Sequence, residues 1–415
     1  MKSTAYENYA STDDLVRDLL DICILTLLPV FGVLFQVRTG LSELNTFALP
    51  VGLAFSAPKV ALVPVMAILS SALLIRQGNP LDKPDGKVEG SPGFIRCTRG
   101  SLSFLTTVCI LAVDFPAIFP RSMAKTETYG LSVMDVGVGA VILASAINRR
   151  SLTASGNFRV FITRTLPALV LGFGRFIFVK EADYYVSSSE YGVHWNFFVT
   201  LWVVAVVGEF IKRVVSYFFR NLFFRDLALF TLAAGLAIVP SYLVEVHLSE
   251  WWFFFGERVG TPSFPAFFAA NREGIVSSLG FIALDLAGSA VARAVKSGNL
   301  VVLIGGFIGS LAVFAGLLEI GEFPSRRMAN VAFCAAVSAV TFFNLSAFRV
   351  ALGTSYRVPR ILAGILKQPL LFFLLSNALT GVINMNFQTL LFPKAGALAI
   401  MTAYITCLWI LASFL

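Results

Sequence analysis

Apolar runs of about the length that crosses a bilayer as a helix, roughly 20 residues, recur along the whole chain. They fall near 19–37, 45–57, 59–76, 101–119, 130–147, 158–179 and 194–211, and then near 227–244, 275–292, 300–318, 329–348, 369–387 and 395–415. These thirteen runs predict an all-α, polytopic transmembrane helix bundle. Pro50, Ser56 and Pro58 interrupt the second run, so residues 45–76 read either as two spans or as one kinked helix, which would leave twelve. The aromatic stretch Trp251 to Phe255, followed by Pro262, Phe264, Pro265, Phe267 and Phe268, is apolar but too broken to span. It is expected to lie at headgroup level. No internal repeat or inverted half-to-half symmetry stands out, which disfavours the usual transporter plans.

Composition agrees with this pattern. Of 415 residues, 57% are hydrophobic and 13% charged, against about 25% charged in an ordinary soluble domain. That excludes a typical cytosolic enzyme, a disordered regulator and a disulfide-stapled secreted domain. With forty Phe and two His, a histidine-built metal centre is not expected. The five cysteines, Cys23, Cys97, Cys109, Cys334 and Cys407, lack metal-ligand spacing and read as packing residues. The first seventeen or so residues are polar, and the run after them is expected to remain as a membrane anchor.

The net charge of +8 acquires meaning once it is sorted by loop. A non-cytosolic N-terminus and a cytosolic C-terminus put nineteen basic residues on the cytosolic side and eleven opposite, the expected positive-inside bias. Topology thus accounts for the basic balance, and no nucleic-acid partner is expected. The long loops 115–129, 180–193, 245–274, 319–328 and 388–394 then share the non-cytosolic face.

An ionisable group at bilayer depth costs roughly 2.5–3.5 kcal/mol on insertion scales, so each one calls for a role. Asp114, Asp135, Glu209 and Asp285 lie within or at the ends of the runs, with Arg164 and Arg175 available to pair across helices. Glu209, beside Lys212 and Arg213, reads as structural. Asp114 ends the fourth run just before Phe115-Pro116, and a loop carrying Arg121, Lys125 and Glu127 follows it. Such a loop can bring an ammonium to a carboxylate, each helping to keep the other charged. The bland reading of every such pair is a bridge within the bundle.

The run from Val113 to Ala140 (VDFPAIFPRSMAKTETYGLSVMDVGVGA) resembles the signature region of the inositol acyltransferases of GPI-anchor biosynthesis, which act on glucosaminyl-phosphatidylinositol. Four further blocks agree in the same order: Ser187 to Leu201 (SSSEYGVHWNFFVTL), Asn271 to Phe281 (NREGIVSSLGF), Pro324 to Asn330 (PSRRMAN) and Leu374 to Thr389 (LLSNALTGVINMNFQT). The chain is shorter than fungal or animal members and carries an extra residue between Asp114 and Lys125. All the blocks fall on the side that charge counting makes non-cytosolic.

The resemblance implies a single integral membrane domain over 1–415, resident in the endoplasmic reticulum membrane with its site facing the lumen. It implies transfer of a fatty acyl chain, usually palmitoyl, from acyl-CoA as co-substrate to an inositol hydroxyl. No tightly bound cofactor or metal is implied. Such chemistry needs a base for the hydroxyl proton, an electropositive group for the tetrahedral oxyanion and an apolar slot for the tail. Carried over by motif, Asp114 and Lys125 are the catalytic pair, and His194 is the rival base. Arg121, Arg272, Arg326 and Arg327 are candidate forks for substrate phosphates, or headgroup anchors. Glu127, Trp195 and Asn196 fall beside these on the same face. Asn377, Asn384 and Asn386 fit sugar hydroxyls or helix bridges, and Gly137 and Gly139 fit close helix approach or a smooth wall for the tail. The competing class is a proton-coupled lipid or sugar-phosphate transporter, with Asp114, Asp135 and Asp285 as its relay.

Overall fold

The computed structural model describes residues 12–39, 42–58, 65, 91–149, 158–181, 190–257, 264–353 and 358–415. The third predicted run, 59–76, lies outside these residues apart from Val65, and the side chains of Arg164 and Arg175 lie outside them too. The described chain is helical throughout, with no strand among these residues.

The elements are α1 (Thr12–Leu25), α2 (Leu28–Thr39), α3 (Leu49–Ser56), α4 (Gly93–Ala112), α5 (Val133–Asn148), α6 (Phe158–Glu181), α7 (Phe197–Phe218) and α8 (Leu222–Tyr242). They continue with α9 (Glu250–Phe255), α10 (Phe264–Lys296), α11 (Leu300–Glu319), α12 (Val331–Leu352), α13 (Arg360–Lys367), α14 (Pro369–Asn386) and α15 (Lys394–Phe414). Eight helical stretches are long and apolar enough to cross a membrane, and each falls on one of the predicted runs. The second and fifth runs became shorter apolar helices, Leu44–Ser56 and Val133–Asn148. The seventh is the 22-residue α7, which carries Glu209, Lys212 and Arg213 on its second half.

Two boundaries moved, for physical reasons. The fourth run was expected at 101–119, but α4 starts at Gly93 behind Pro92 and stops at Ala112. Pro116 disfavours helix at the residue before it. Phe115, Ile118 and Phe119 are apolar because they fold back into the core as turns, where they are at most 2% exposed. The ninth run was expected from 275, but α10 begins at Phe264 and takes in part of the supposed loop. Its continuity is broken only at Asn271, whose φ of −126° and ψ of 20° mark a kink. The aromatic segment before it did not become a span. It forms the short helix α9, with Phe253 and Phe254 buried and Trp251 exposed.

Helices α4, α5, α10 and α12 pack together at the centre. The most apolar stretches of α4, α10 and α12 are 72%, 72% and 67% buried, whereas that of α11 is only 11% buried. An apolar helix left open on the outside of a bundle is what a lipid solvent permits. Gly139 lets α5 touch α10 and α12, since an added Cβ would sit 3.0 Å from Val337 and 3.1 Å from Leu284. Cys23, Cys97, Cys109 and Cys334 are buried free thiols in this packing.

Candidate active site

At one end of α5 a dense polar scaffold forms from segments far apart in sequence. Ser132 and Asp135 make a reciprocal capping box that starts α5. Asp135 also accepts from the Thr126 hydroxyl at 3.0 Å and from Arg326 Nε at 3.0 Å. Ser325 Oγ donates to the Thr128 carbonyl at 2.6 Å, and Gly130 N–H donates to the Pro324 carbonyl at 2.8 Å. The loop 121–132 and the segment Pro324 to Asn330 are therefore one unit.

Arginines expected as phosphate forks are largely committed to this scaffold. Arg272, 1% exposed, donates to the carbonyls of Phe253, Gly256, Glu257 and Ala269 and lies 4.6 Å over the Trp252 ring. Arg327 bonds Glu273 at 2.6 Å and the carbonyls of Glu127 and Phe254. Both hold the aromatic segment around α9 to the site, and neither lines the cavity beside it. Arg326 is different, because it lines a cavity while bridging to Asp135. Arg121 and Glu127 are exposed on the loop.

The block around His194 is also mostly architecture. Asn196 caps α7, accepting from the N–H groups of Phe198 and Val199, and donates to the Gly172 carbonyl at 2.8 Å. Trp195 Nε1 donates to Thr200 Oγ1 at 2.9 Å, and its ring lies so close to Gly274 that a Cβ there would meet it at 2.2 Å. The His194 backbone N–H donates to Asn271 Oδ1 at 2.8 Å, and the residue is exposed. The α10 kink goes with Val193 N–H donating to the Ala270 carbonyl at 2.9 Å and Gly274 N–H to the Tyr191 carbonyl at 2.8 Å, in place of the helical bond.

Asp114 and Lys125 occupy the same end but are not bonded to each other. Asn384 Nδ2 donates to Asp114 Oδ2 at 2.8 Å, tying the end of α14 to the end of α4. Burial pushes the Asp114 carboxyl above the usual carboxylate range, while the Asn384 hydrogen bond and the charge of Lys125 pull against it. Lys125 Nζ instead donates to both oxygens of Glu190, at 2.7 and 2.9 Å. Glu190 stands within the quoted Ser187 to Leu201 block, yet sequence reasoning did not single it out. Its partner is 65 positions away, so no local spacing links them.

Lys125, Glu190, Tyr191 and Arg326 stand at one end of an apolar cavity of about 560 Å³ enclosed mainly by α4, α5, α7 and α14. Gly137 lines it, as do Phe197, Phe198 and Phe373, whose rings cluster at 5.3 to 6.1 Å. Asn377 also faces it, with Nδ2 donating to the Phe373 carbonyl at 2.7 Å. Asn386 is exposed and bonds its own helix at the Val382 carbonyl. Gly139 serves close packing, and Gly137 lines the cavity while also approaching α4, where an added Cβ would stand 3.1 Å from Thr106 Oγ1.

At the other end of α5, Asp285 receives Arg149 at 2.9 Å and Lys212 at 2.8 Å, while Glu209 pairs with Arg213 at 3.1 Å. Asp135 is thus committed at the start of α5, and Asp285 to Arg149 just past its end, the two α5 positions being about 21 Å apart along the helix. Among the described residues, no hydrogen bond or ion pair joins Asp114, Asp135 and Asp285 to one another.

An apolar slot inside a bundle of membrane-length helices, with Lys125, Glu190 and Arg326 at one end, defines a multi-pass membrane protein. Comparison narrows the class. The GWT1 family model matches residues 4–415, and the chain belongs to that family. It is 29% identical to GPI-anchored wall transfer protein 1 of Schizosaccharomyces pombe, over 96% of this chain and 87% of the relative. It is 31% identical to the glucosaminyl-phosphatidylinositol-acyltransferase PIGW of Bos taurus, over 75% of this chain and 70% of the relative. The corresponding Mus musculus protein is 32% identical over the same shares, 75% and 70%.

Proposed function

We propose that this protein transfers a fatty acyl chain from acyl-CoA to an inositol hydroxyl of glucosaminyl-phosphatidylinositol, a step of GPI-anchor biosynthesis. The observation that carries the reading is the apolar cavity with Lys125, Glu190 and Arg326 at one end. Relatives named as glucosaminyl-phosphatidylinositol acyltransferases support the choice of acceptor. The palmitoyl donor, the endoplasmic reticulum membrane and the lumenal orientation rest on the sequence resemblance and the loop charges.

In this mechanism the acyl tail lies in the cavity and the thioester carbonyl reaches the Lys125 ammonium, displacing one Glu190 oxygen. Lys125 then faces the oxygen that becomes negative in the tetrahedral intermediate. Asp114, poised by burial above the usual carboxylate range, takes the proton of the attacking inositol hydroxyl. Collapse breaks the C–S bond, forms the inositol ester and returns the proton to the departing CoA thiolate. Neither His194 nor Asp114 lines the cavity itself, and His194 is the weaker base because it is exposed while Asp114 is half-buried. Arg326 and Arg121 remain the forks for phosphate at this end.

The test is direct. Purified protein, incubated with palmitoyl-CoA and glucosaminyl-phosphatidylinositol, is expected to yield a product heavier by one palmitoyl group. Ion-coupled flux of the lipid across vesicles without that product would favour the transporter reading instead.

A further inference from the structure

The cavity alongside α5 has two chemically different ends. Lys125, Glu190, Tyr191 and Arg326 stand at one, and Arg99, Ser145 and Arg149 at the other. Residues 133, 137, 141, 145 and 149 all line it, so one face of α5 forms its wall at successive turns. From Val133 to Arg149 that face extends about 24 Å. The wall between is apolar, with Val138 and Ile142 of α5, Leu105 of α4, Leu201 of α7 and Leu370 of α14.

The far end is lined by charge. Arg99 Nε donates to Ser145 Oγ at 3.4 Å, and Arg149 is tied to Asp285 at 2.9 Å. Lys212 holds the second oxygen of Asp285 at 2.8 Å, and Arg96 and Arg149 both act electrostatically on Arg99. A hydrocarbon tail advancing along the walls gains about fourfold in affinity for each methylene it buries. A methyl end that reaches the guanidiniums must strip water from them and offers no hydrogen bond in return. The gain therefore stops at a fixed depth.

We infer that this charged floor, Arg99 with Ser145 and Arg149, is a ruler that sets the length of the acyl chain the protein accepts. The inference rests on the acyltransfer reading, in which the thioester sits at the Lys125 end and the methyl terminus points towards Arg99. Depth then maps onto sequence in steps of four residues, about 6 Å each, at Gly137, Val141 and Ser145. Gly137 is the shallowest of the three, and a Cβ there would stand 3.1 Å from Thr106 Oγ1, which lines the same cavity, so a larger side chain must fill the slot or displace α4.

The experiment measures kcat/KM for a graded series of saturated acyl-CoA donors, from octanoyl to behenoyl, with the full-length wild type and variants. Gly137→Leu is expected to move the optimum to the shortest chains, Val141→Trp to intermediate ones, and Ser145→Leu by the least. Arg99→Leu is expected to move it beyond the wild-type length, and Arg99→Lys to keep it. The ratio of palmitoyl to the new optimum should change by roughly tenfold or more in Gly137→Leu. Because each ratio is taken within one variant, partial loss of folded protein cancels. Thermal stabilisation by the same acyl-CoA series gives the second readout and needs no turnover. A chain-length profile that is flat, or identical in all variants, in that measurement overturns the ruler. An order reversed from Ser145 to Gly137 overturns it as well, since the chain would then enter from the other end. A graded stabilisation with no transfer at any length leaves the ruler standing and removes the acyltransfer reading.

Discussion

Glu190 holds the Lys125 ammonium through both carboxylate oxygens, and both side chains are roughly one-third exposed, at 34% and 38%. An ion pair this open is worth little in stability, so its value lies in placing the ammonium. Glu190→Gln keeps an acceptor oxygen and removes the charge. It is expected to lower kcat by roughly tenfold, the scale of one charge-assisted hydrogen bond, with the protein still folded. Initial rates with each substrate varied separately check this, and an unchanged kcat would mean that Lys125 is positioned by other contacts. Asp114 invites a pH test. Its carboxyl is raised chiefly by burial and must be ionised to act as a base, so kcat/KM should fall with acid at a pH above the ordinary carboxylate value of 3.8. Asn384→Leu removes a bond that favours the charged form, which raises the carboxyl further and moves the acid limb to higher pH. A limb that stays in place in that variant would show that Asp114 is not the titrating base.

At the scale of elements, close approach decides where the site scaffold sits. A Cβ on Gly280 of α10 would stand 1.8 Å from the Ala329 carbonyl oxygen, and Ala329 itself has a φ of 50° at the start of α12. Gly280→Ala is therefore expected to destabilise by about 3 kcal/mol or more, because backbone has to move rather than a side chain. Gly235→Ala on α8, with nothing within 4 Å of the added carbon, is expected to stabilise by about 0.5–1 kcal/mol, and thermal unfolding in detergent compares the two. Periodic, local features were legible beforehand: eight runs became membrane-length helices, and the aromatic segment stayed short. The starts of α4 and α10 were not, because Arg96 and Arg99 looked like loop charges, and Phe264 to Phe268 like an interfacial patch. In the site, Asp114, Lys125 and Asn384 were singled out by motif, but the bonds they make were not foreseen. Asn384 lies 270 positions from Asp114, and Arg272 and Arg327 spend their donors on carbonyls that spacing cannot reveal. Arginine in a motif signals a fork for oxygen, and here the oxygens belong to the protein's own backbone.

Taken as a whole, the molecule separates its polar groups to the two ends of the bundle and leaves an apolar slot between them. One end gathers Asp114, Lys125, Glu190, Arg326 and Asn384, and the other Arg99, Arg149, Lys212 and Asp285. Asp135 is spent on a cap and a bridge, and removing its charge by Asp135→Asn should cost about 3–5 kcal/mol by stranding Arg326, seen as a lowered melting temperature. Such an arrangement suits a two-substrate reaction at one face better than passage from face to face. The most direct test of that claim follows an isotopically labelled palmitoyl group from CoA to the inositol ring in wild type, Asp114→Asn and Lys125→Ala, each confirmed to insert and fold. The account predicts labelled acyl-inositol from the wild type and none above background from either variant. Near-normal labelling in both variants would contradict it.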